Sequence, residues 1–212
     1  QAYSYSAIKE EKSTDKVEMN NRIFQSLAGI LTVTGAIMMV IMKPFLKIYV
    51  NDTFYTAWKY TPYLIIGFVF SSLGSFLGTQ YTVYKDSKGY LFSALIGALT
   101  NIGLNALLIP LIGVYGAATA TLISYLVVFM YRLLDTKKYL KIEFLNKKNI
   151  IGYILLFMIG ISMYIETILG IVISIVSLIL SILLYRDTIY SIVKDLIKMI
   201  KNKICLIRNE QR

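Results

Sequence analysis

Four polar side chains lie inside otherwise uncharged apolar stretches, and their positions suggest a use. Asn101 and Asn105 are four residues apart, with Gly97 four residues earlier, so these three share one face of a helix. Thr79 and Gln80 lie near the end of the preceding apolar stretch. Polar groups are costly in a membrane interior and usually face protein or a water-filled cavity. All four are therefore candidates to line the path of a polar substrate; the alternative is that they hydrogen-bond neighbouring helices together.

Three basic residues, Arg22, Lys85 and Arg132, stand at the predicted ends of apolar stretches. Lysine and arginine pair well with phosphate oxygens, so each is a candidate to contact a phosphate or a lipid headgroup. The alternative is that their side chains only extend into the headgroup layer beside them.

The residues that usually carry catalysis or bind metals are scarce. The sequence has no histidine and a single cysteine, Cys205. It has no metal-ligand spacing, no Walker-type glycine loop and no nucleophile constellation, so we expect no enzyme activity, no metal and no cofactor. The formal charge is +10, but the basic residues lie between apolar blocks and form no polar face. This pattern predicts contact with anionic lipid and no nucleic-acid partner.

Residues 89–131 position Asn101 and Asn105, and they contain no Asp, Glu, Lys or Arg. A helix needs roughly 20 apolar residues to cross a bilayer core of about 30 Å, so this stretch predicts two spanning helices. Pro110 and Gly113 mark the turn between them, because proline ends helices and glycine tolerates a tight backbone. With 57% hydrophobic residues in blocks, the chain is expected to be an all-α membrane protein.

The same reading along the chain predicts six transmembrane helices. Residues 1–22 form a connection, and residues 23–134 form four helices, with spans at 23–42, 61–84 and the two within 89–131. Lys43-Pro44 closes the first span, and residues 135–149 form a loop. Residues 150–185 supply two further spans, 150–165 and 168–185, and residues 186–212 form a basic amphipathic tail with a helix over 187–204.

The basic residues also predict an orientation. Six spans place both ends of the chain on one side, and all but three of the 22 lysines and arginines (Lys43, Lys47 and Lys59) fall on that side. Because positively charged loops stay in the cytoplasm, both ends and the 135–149 loop are expected to be cytoplasmic. The chain begins with Gln1 and not with Met, so we expect a fragment of a longer protein.

The order of these features resembles that of a known family. Residues 43–89 read KPFLKIYVNDTFYTAWKYTPYLIIGFVFSSLGSFLGTQYTVYKDSKG, and residues 100–132 read TNIGLNALLIPLIGVYGAATATLISYLVVFMYR. Together with the opening QAYSYSAIKEEKSTDK, they resemble the C-terminal half of bacterial polysaccharide or oligosaccharide flippases of the multidrug/oligosaccharidyl-lipid/polysaccharide exporter superfamily. The resemblance covers most of residues 1–135, and the last two predicted spans match in placement only.

The resemblance implies a fold and a function. The fold would be two lobes with 12 to 14 helices in total, of which this chain supplies the C-terminal part. The function would be movement of undecaprenyl-diphosphate-linked oligosaccharide across the bacterial cytoplasmic membrane by alternating access. The implied partners are this substrate, membrane lipids, and the polymerase and glycosyltransferases of the same pathway. Two alternatives stay open, namely a multidrug-type exporter of the same superfamily and a membrane-embedded glycosyl- or acyltransferase.

Overall fold

A computed structural model describes residues 13–144, 146–191 and 193–194. Within this part of the chain every regular element is helical, as the sequence predicts. The α-helices are α1 (Ser13–Tyr49), α2 (Asp52–Tyr55), α3 (Thr61–Val83), α4 (Ser87–Ile112), α5 (Val114–Asp135), α6 (Lys147–Ser162) and α7 (Ile168–Leu184). Short 3-10 turns, Thr56–Lys59 and Thr136–Lys138, follow α2 and α5.

Helix α1 is longer at both ends than the sequence predicts. It begins at Ser13, so residues 13–22 of the predicted connection are helical and continuous with the first span. It also continues through Pro44 to Tyr49, where the sequence predicts an end at Lys43-Pro44. A proline inside a long apolar helix is tolerated where neighbouring groups satisfy the freed backbone carbonyl. Next to the proline, the Lys43 ammonium donates to the Met163 carbonyl at the end of α6, which joins the two helices and does not involve the carbonyl freed by Pro44.

Helices α4 and α5 form the predicted hairpin, but only one of the two predicted turn residues makes the turn. Pro110 lies inside α4, which continues to Ile112. Gly113 alone joins the helices, and its φ is 59°. Glycine adopts a positive φ readily because it has no Cβ to clash with the backbone. Near the turn, Gly116 of α5 packs so closely on α4 that an added Cβ would meet the Leu108 carbonyl.

Helix α3 lies at the centre of the bundle. Its buried face, which includes Ile66, Phe70, Leu73 and Leu77, packs against α1, α5 and α6 in one hydrophobic core. Gly74 lets α3 approach the α5 backbone at Phe129, because small residues allow close contact between helices. Helix α4 packs mainly on α5 and meets α3 over only a short region.

Helices α6 and α7 occupy the positions of the last two predicted spans. They have 16 and 17 residues, about 24–26 Å in length, which is short of the usual bilayer thickness. Four helices among the described residues are long and apolar enough to cross a membrane: α1, α3, α4 and α5. The predicted tail helix over 187–204 lies largely outside the described residues.

The buried side of α7 is small and polar, and its outer side is apolar. Gly170, Ser174, Ser177 and Ser181 are buried, whereas large aliphatic side chains such as Ile171 and Ile175 are exposed. After α7, the Tyr185 ring is fully buried between Gly29 of α1 and Gly152 of α6. Small residues at helix contacts and apolar residues outside are typical of a helix packed in lipid.

Helix α4 shows the same arrangement more strongly. Its buried residues are Gly89, Ser93 and Gly97, each about one turn from the next; Ser93 and Gly97 face α5, whereas Gly89 packs against Tyr81 of α3. Most of its large apolar side chains are exposed, including Leu99 and Ile102. Exposed apolar surface on this scale is unfavourable in water, which supports a membrane environment for the helices.

Candidate functional site

A polar cleft lies between α3 and α4, with α5 as its floor. Its volume is about 500 Å³. The residues that line it fall on one face of each helix. They are Ser71 and Ser75 on α3, Tyr90, Ala94, Gly97, Ala98 and Asn101 on α4, and Thr121, Tyr125, Val128 and Arg132 on α5. From Thr121 to Arg132 the floor is about 16 Å long at the helical rise of 1.5 Å per residue.

Arg132 closes one end of the cleft. Only 8% of its surface is exposed, so it does not extend into a headgroup layer. Its Nη1 donates to the Gly74 carbonyl at 3.0 Å, and its Nε donates to Ser93 Oγ at 3.1 Å. The guanidinium carbon lies 5.3 Å from the centre of the Tyr90 ring, a cation–π contact. One arginine on the floor thus contacts both walls.

The sequence makes room for this arginine at Gly78. A Cβ at that position would lie 2.8 Å from Arg132 Nη1, so only glycine leaves the guanidinium its place against α3. The Gly74–Gly78 pair therefore serves two purposes. Gly74 brings the α3 and α5 backbones together, and Gly78 accommodates the cation.

Asn101 borders the end of the cleft that lies opposite Arg132, and it also joins the wall of the cleft to its floor. Its Nδ2 donates to Ser124 Oγ of α5 at 3.2 Å. Asn105 does not line the cleft, and instead its Nδ2 donates to the Asn101 side-chain oxygen at 2.9 Å. Asn101 therefore makes the predicted hydrogen bond between helices and also borders the cleft, whereas Asn105 supports Asn101 from one turn away.

The other sequence candidates lie away from the cleft. Thr79 Oγ1 donates to the Phe76 carbonyl of its own helix at 2.7 Å. Gln80 is buried and donates to Asn20 Oδ1 of α1 at 3.4 Å. Arg22 pairs with Glu18 at the surface, and Lys85 is exposed in the α3–α4 turn. None of these four borders the cleft.

A cluster of hydrogen bonds fastens the chain beyond the Arg132 end of the cleft. Asp86, in the α3–α4 turn, accepts from the Tyr139 hydroxyl at 2.6 Å, from the Gly89 amide at 2.9 Å and from Lys138 Nζ at 3.1 Å. These bonds stabilise the carboxylate and lower the pKa of Asp86 to about 2. The same bond to Asp86 raises the pKa of Tyr139. This end of the cleft is therefore held by ionised contacts.

Sequence reasoning did not identify Ser93 or Ser71 as site residues. Ser93 is completely buried and donates to the Tyr90 carbonyl while it accepts from Arg132. One signal was available, because Gly89, Ser93 and Gly97 form a line of small residues that continues to Asn101 on α4. On α3, the cleft is lined by Ser71 and Ser75, which are four residues apart and share one helical face.

Comparison with known proteins adds no family to this description. No family model, no curated protein and no solved structure matches the chain. In the part of the chain that the structure describes, the fold and the site define an all-helical protein with four helices able to cross a membrane and a polar cleft between three helices.

Proposed function

We propose that the chain is part of a membrane transporter that moves a lipid-linked oligosaccharide across the bacterial cytoplasmic membrane. The observation that carries the proposal is the polar cleft between α3, α4 and α5, whose outer surfaces are apolar. Hydroxyl and amide groups line this cleft, and such groups can hydrogen-bond sugar hydroxyls. The order of motifs along residues 1–135, which resembles polysaccharide flippases, supports the same cargo.

The sign of the charge in the cleft distinguishes the candidate cargoes. Arg132 is the charged residue that borders it, and none of the described residues that line it is acidic. A cationic cleft favours a cargo with an anionic group, such as a diphosphate-linked glycan, over an amphipathic cation. The proposal therefore prefers the flippase to the multidrug-type exporter.

The proposal includes a topology. Helices α6 and α7 would serve as fifth and sixth spans, tilted or in locally thinned bilayer, because each is shorter than the usual span. Both ends of the chain would then lie in the cytoplasm, together with the loop between α5 and α6. By the resemblance, an N-terminal lobe and the first two helices of the C-terminal lobe, which this chain does not contain, would complete the transport path.

Asn101→Leu in the full-length protein tests the role of the cleft. We expect glycan assembly in a flippase-deficient strain to fall about tenfold, because one lost hydrogen bond to cargo and a blocked wall cost roughly 1–3 kcal/mol. Thr79→Val is the matched control, since Thr79 bonds only its own helix and lies outside the cleft. Normal assembly by Asn101→Leu at normal expression would remove the cleft from the transport path.

A further inference from the structure

We propose that a cavity between the end of α5 and the start of α6 binds the headgroup of a bilayer aminophospholipid such as phosphatidylethanolamine. Its volume is about 610 Å³, within the range of about 300–1,000 Å³ that is typical of ligand sites. None of the residues that line it borders the polar cleft, so the inference goes beyond the proposed transport function. It requires that α5 and α6 lie in a membrane, and it does not depend on the cargo.

The charged groups around the cavity are of both signs and are not paired with one another. Lys137, Glu143 and Lys147 line it and are exposed, and none of the three belongs to an ion pair within the described residues. The headgroup of phosphatidylethanolamine carries a negative phosphate and, two carbons further, a positive primary amine. The two lysines can donate to the phosphate while the amine donates to Glu143, and charge-assisted hydrogen bonds of this kind are the strong ones.

The rest of the cavity is apolar, which suits a lipid better than a free ion. Ile142 is buried in its wall, and Phe144 is half-buried there. Beyond the cavity, Ile151 and Ile154 follow Lys147 on the same face of α6, and both are exposed. A headgroup bound in the cavity would therefore place its acyl chains beside an apolar helix surface, as they lie in a bilayer.

The segment that carries Glu143 is fixed before a ligand binds. Asn21 Oδ1 of α1 accepts from the Glu143 amide at 2.8 Å, and Asn21 Nδ2 donates to the Lys141 carbonyl at 3.4 Å. The next residue, Phe144, stacks on the Tyr153 ring of α6 with the ring centres 5.4 Å apart. The backbone beside the cavity is thus held by α1 and α6, so binding orders few further groups and loses little entropy.

The test measures lipid binding to the purified full-length protein in detergent, by native mass spectrometry. Phosphatidylethanolamine, phosphatidylcholine and phosphatidylglycerol with identical acyl chains are titrated in parallel, because the second lacks N–H donors and the third lacks the amine. Glu143→Gln removes the carboxylate, and Lys147→Gln removes one of the lysines. Glu166→Gln and Lys141→Gln are the matched controls, since each removes the same charge from an exposed residue that does not line the cavity.

We expect the original protein to bind phosphatidylethanolamine at least tenfold more tightly than either of the other lipids. Glu143→Gln should reduce this preference at least fivefold, Lys147→Gln should weaken binding of phosphatidylethanolamine at least threefold, and each control should change it less than twofold. Equal binding of the three lipids by the original protein would overturn the site, and so would an unchanged preference in Glu143→Gln.

Two further outcomes separate this site from its alternatives. Tighter binding of phosphatidylglycerol, weakened by Lys147→Gln and not by Glu143→Gln, would reject the aminophospholipid in favour of an anionic lipid. Asn101→Leu should bind phosphatidylethanolamine normally, because Asn101 does not line this cavity. Loss of lipid binding in Asn101→Leu would contradict the separation of the cavity from the polar cleft.

Discussion

Replacement of Gly78 by alanine isolates the contact on which the site depends. The new Cβ would lie 2.8 Å from Arg132 Nη1, which is too close, so the guanidinium has to move. Its bond to the Gly74 carbonyl, at 3.0 Å on the same side, is then lost or strained. A hydrogen bond of a charged group contributes about 1.5–3 kcal/mol. Replacing glycine by alanine inside a helix stabilises the helix by up to about 1 kcal/mol.

The balance predicts that Gly78→Ala destabilises the fold by about 1–2 kcal/mol, although alanine is the better helix former. Gly103→Ala is the matched control, because nothing lies within 4 Å of a Cβ at that position of α4. Gly103→Ala gains the same helix propensity without a steric clash, so the stability of this variant should equal or slightly exceed that of the original protein. Thermal unfolding of both variants in the same detergent measures the difference. Equal stabilities would show that Arg132 is free to move and would refute its fixed position between the walls.

Two further predictions concern stability away from the cleft. Tyr185→Ala should cost about 3–5 kcal/mol in thermal or denaturant unfolding, because its ring fills the space between two glycines, whereas Tyr190→Ala, at an exposed position, should change little. Asp86 has a folded-state pKa of about 2, below its ordinary value near 4, so its contribution is present above about pH 4 and is lost as the pH falls through 2. The melting temperature should show this loss between pH 4 and pH 2, and Asp86→Asn, which cannot ionise, should remove that part of the pH dependence; an identical profile would contradict the assignment.

Much of the helical architecture could be predicted from apolar length alone. The uncharged run from Gly89 to Tyr131 had to form two helices, because a backbone in lipid must bond internally. The prolines were the main source of error. Pro44 and Pro110 were expected to end helices, and both lie inside them. Whether a helix ends at a proline depends on whether other groups hydrogen-bond the carbonyl that has lost its N–H partner. The local sequence does not show which groups lie nearby in space.

The candidate site was predicted only in part. Asn101 was identified from its spacing, and the structure places it on the wall of the cleft. The same criterion, a polar residue inside an apolar helix, also selected three residues that lie outside the cleft. Thr79 bonds a carbonyl of its own helix, Gln80 bonds Asn20, and Asn105 bonds Asn101. Polarity in a helix shows that a partner is needed, and it does not show which partner.

The sequence by itself determined where the uncharged apolar stretches lie and that they form helices, because length and charge are local properties. Only the tertiary structure decided that Arg132 turns inward, since that choice depends on Gly78 and Ser93, which lie 54 and 39 residues earlier in the chain. A basic residue near a helix end can reach either water or a neighbouring helix. Here the space beside Gly78 and Ser93, two small residues on adjacent helices, allows Arg132 to reach the neighbouring helices.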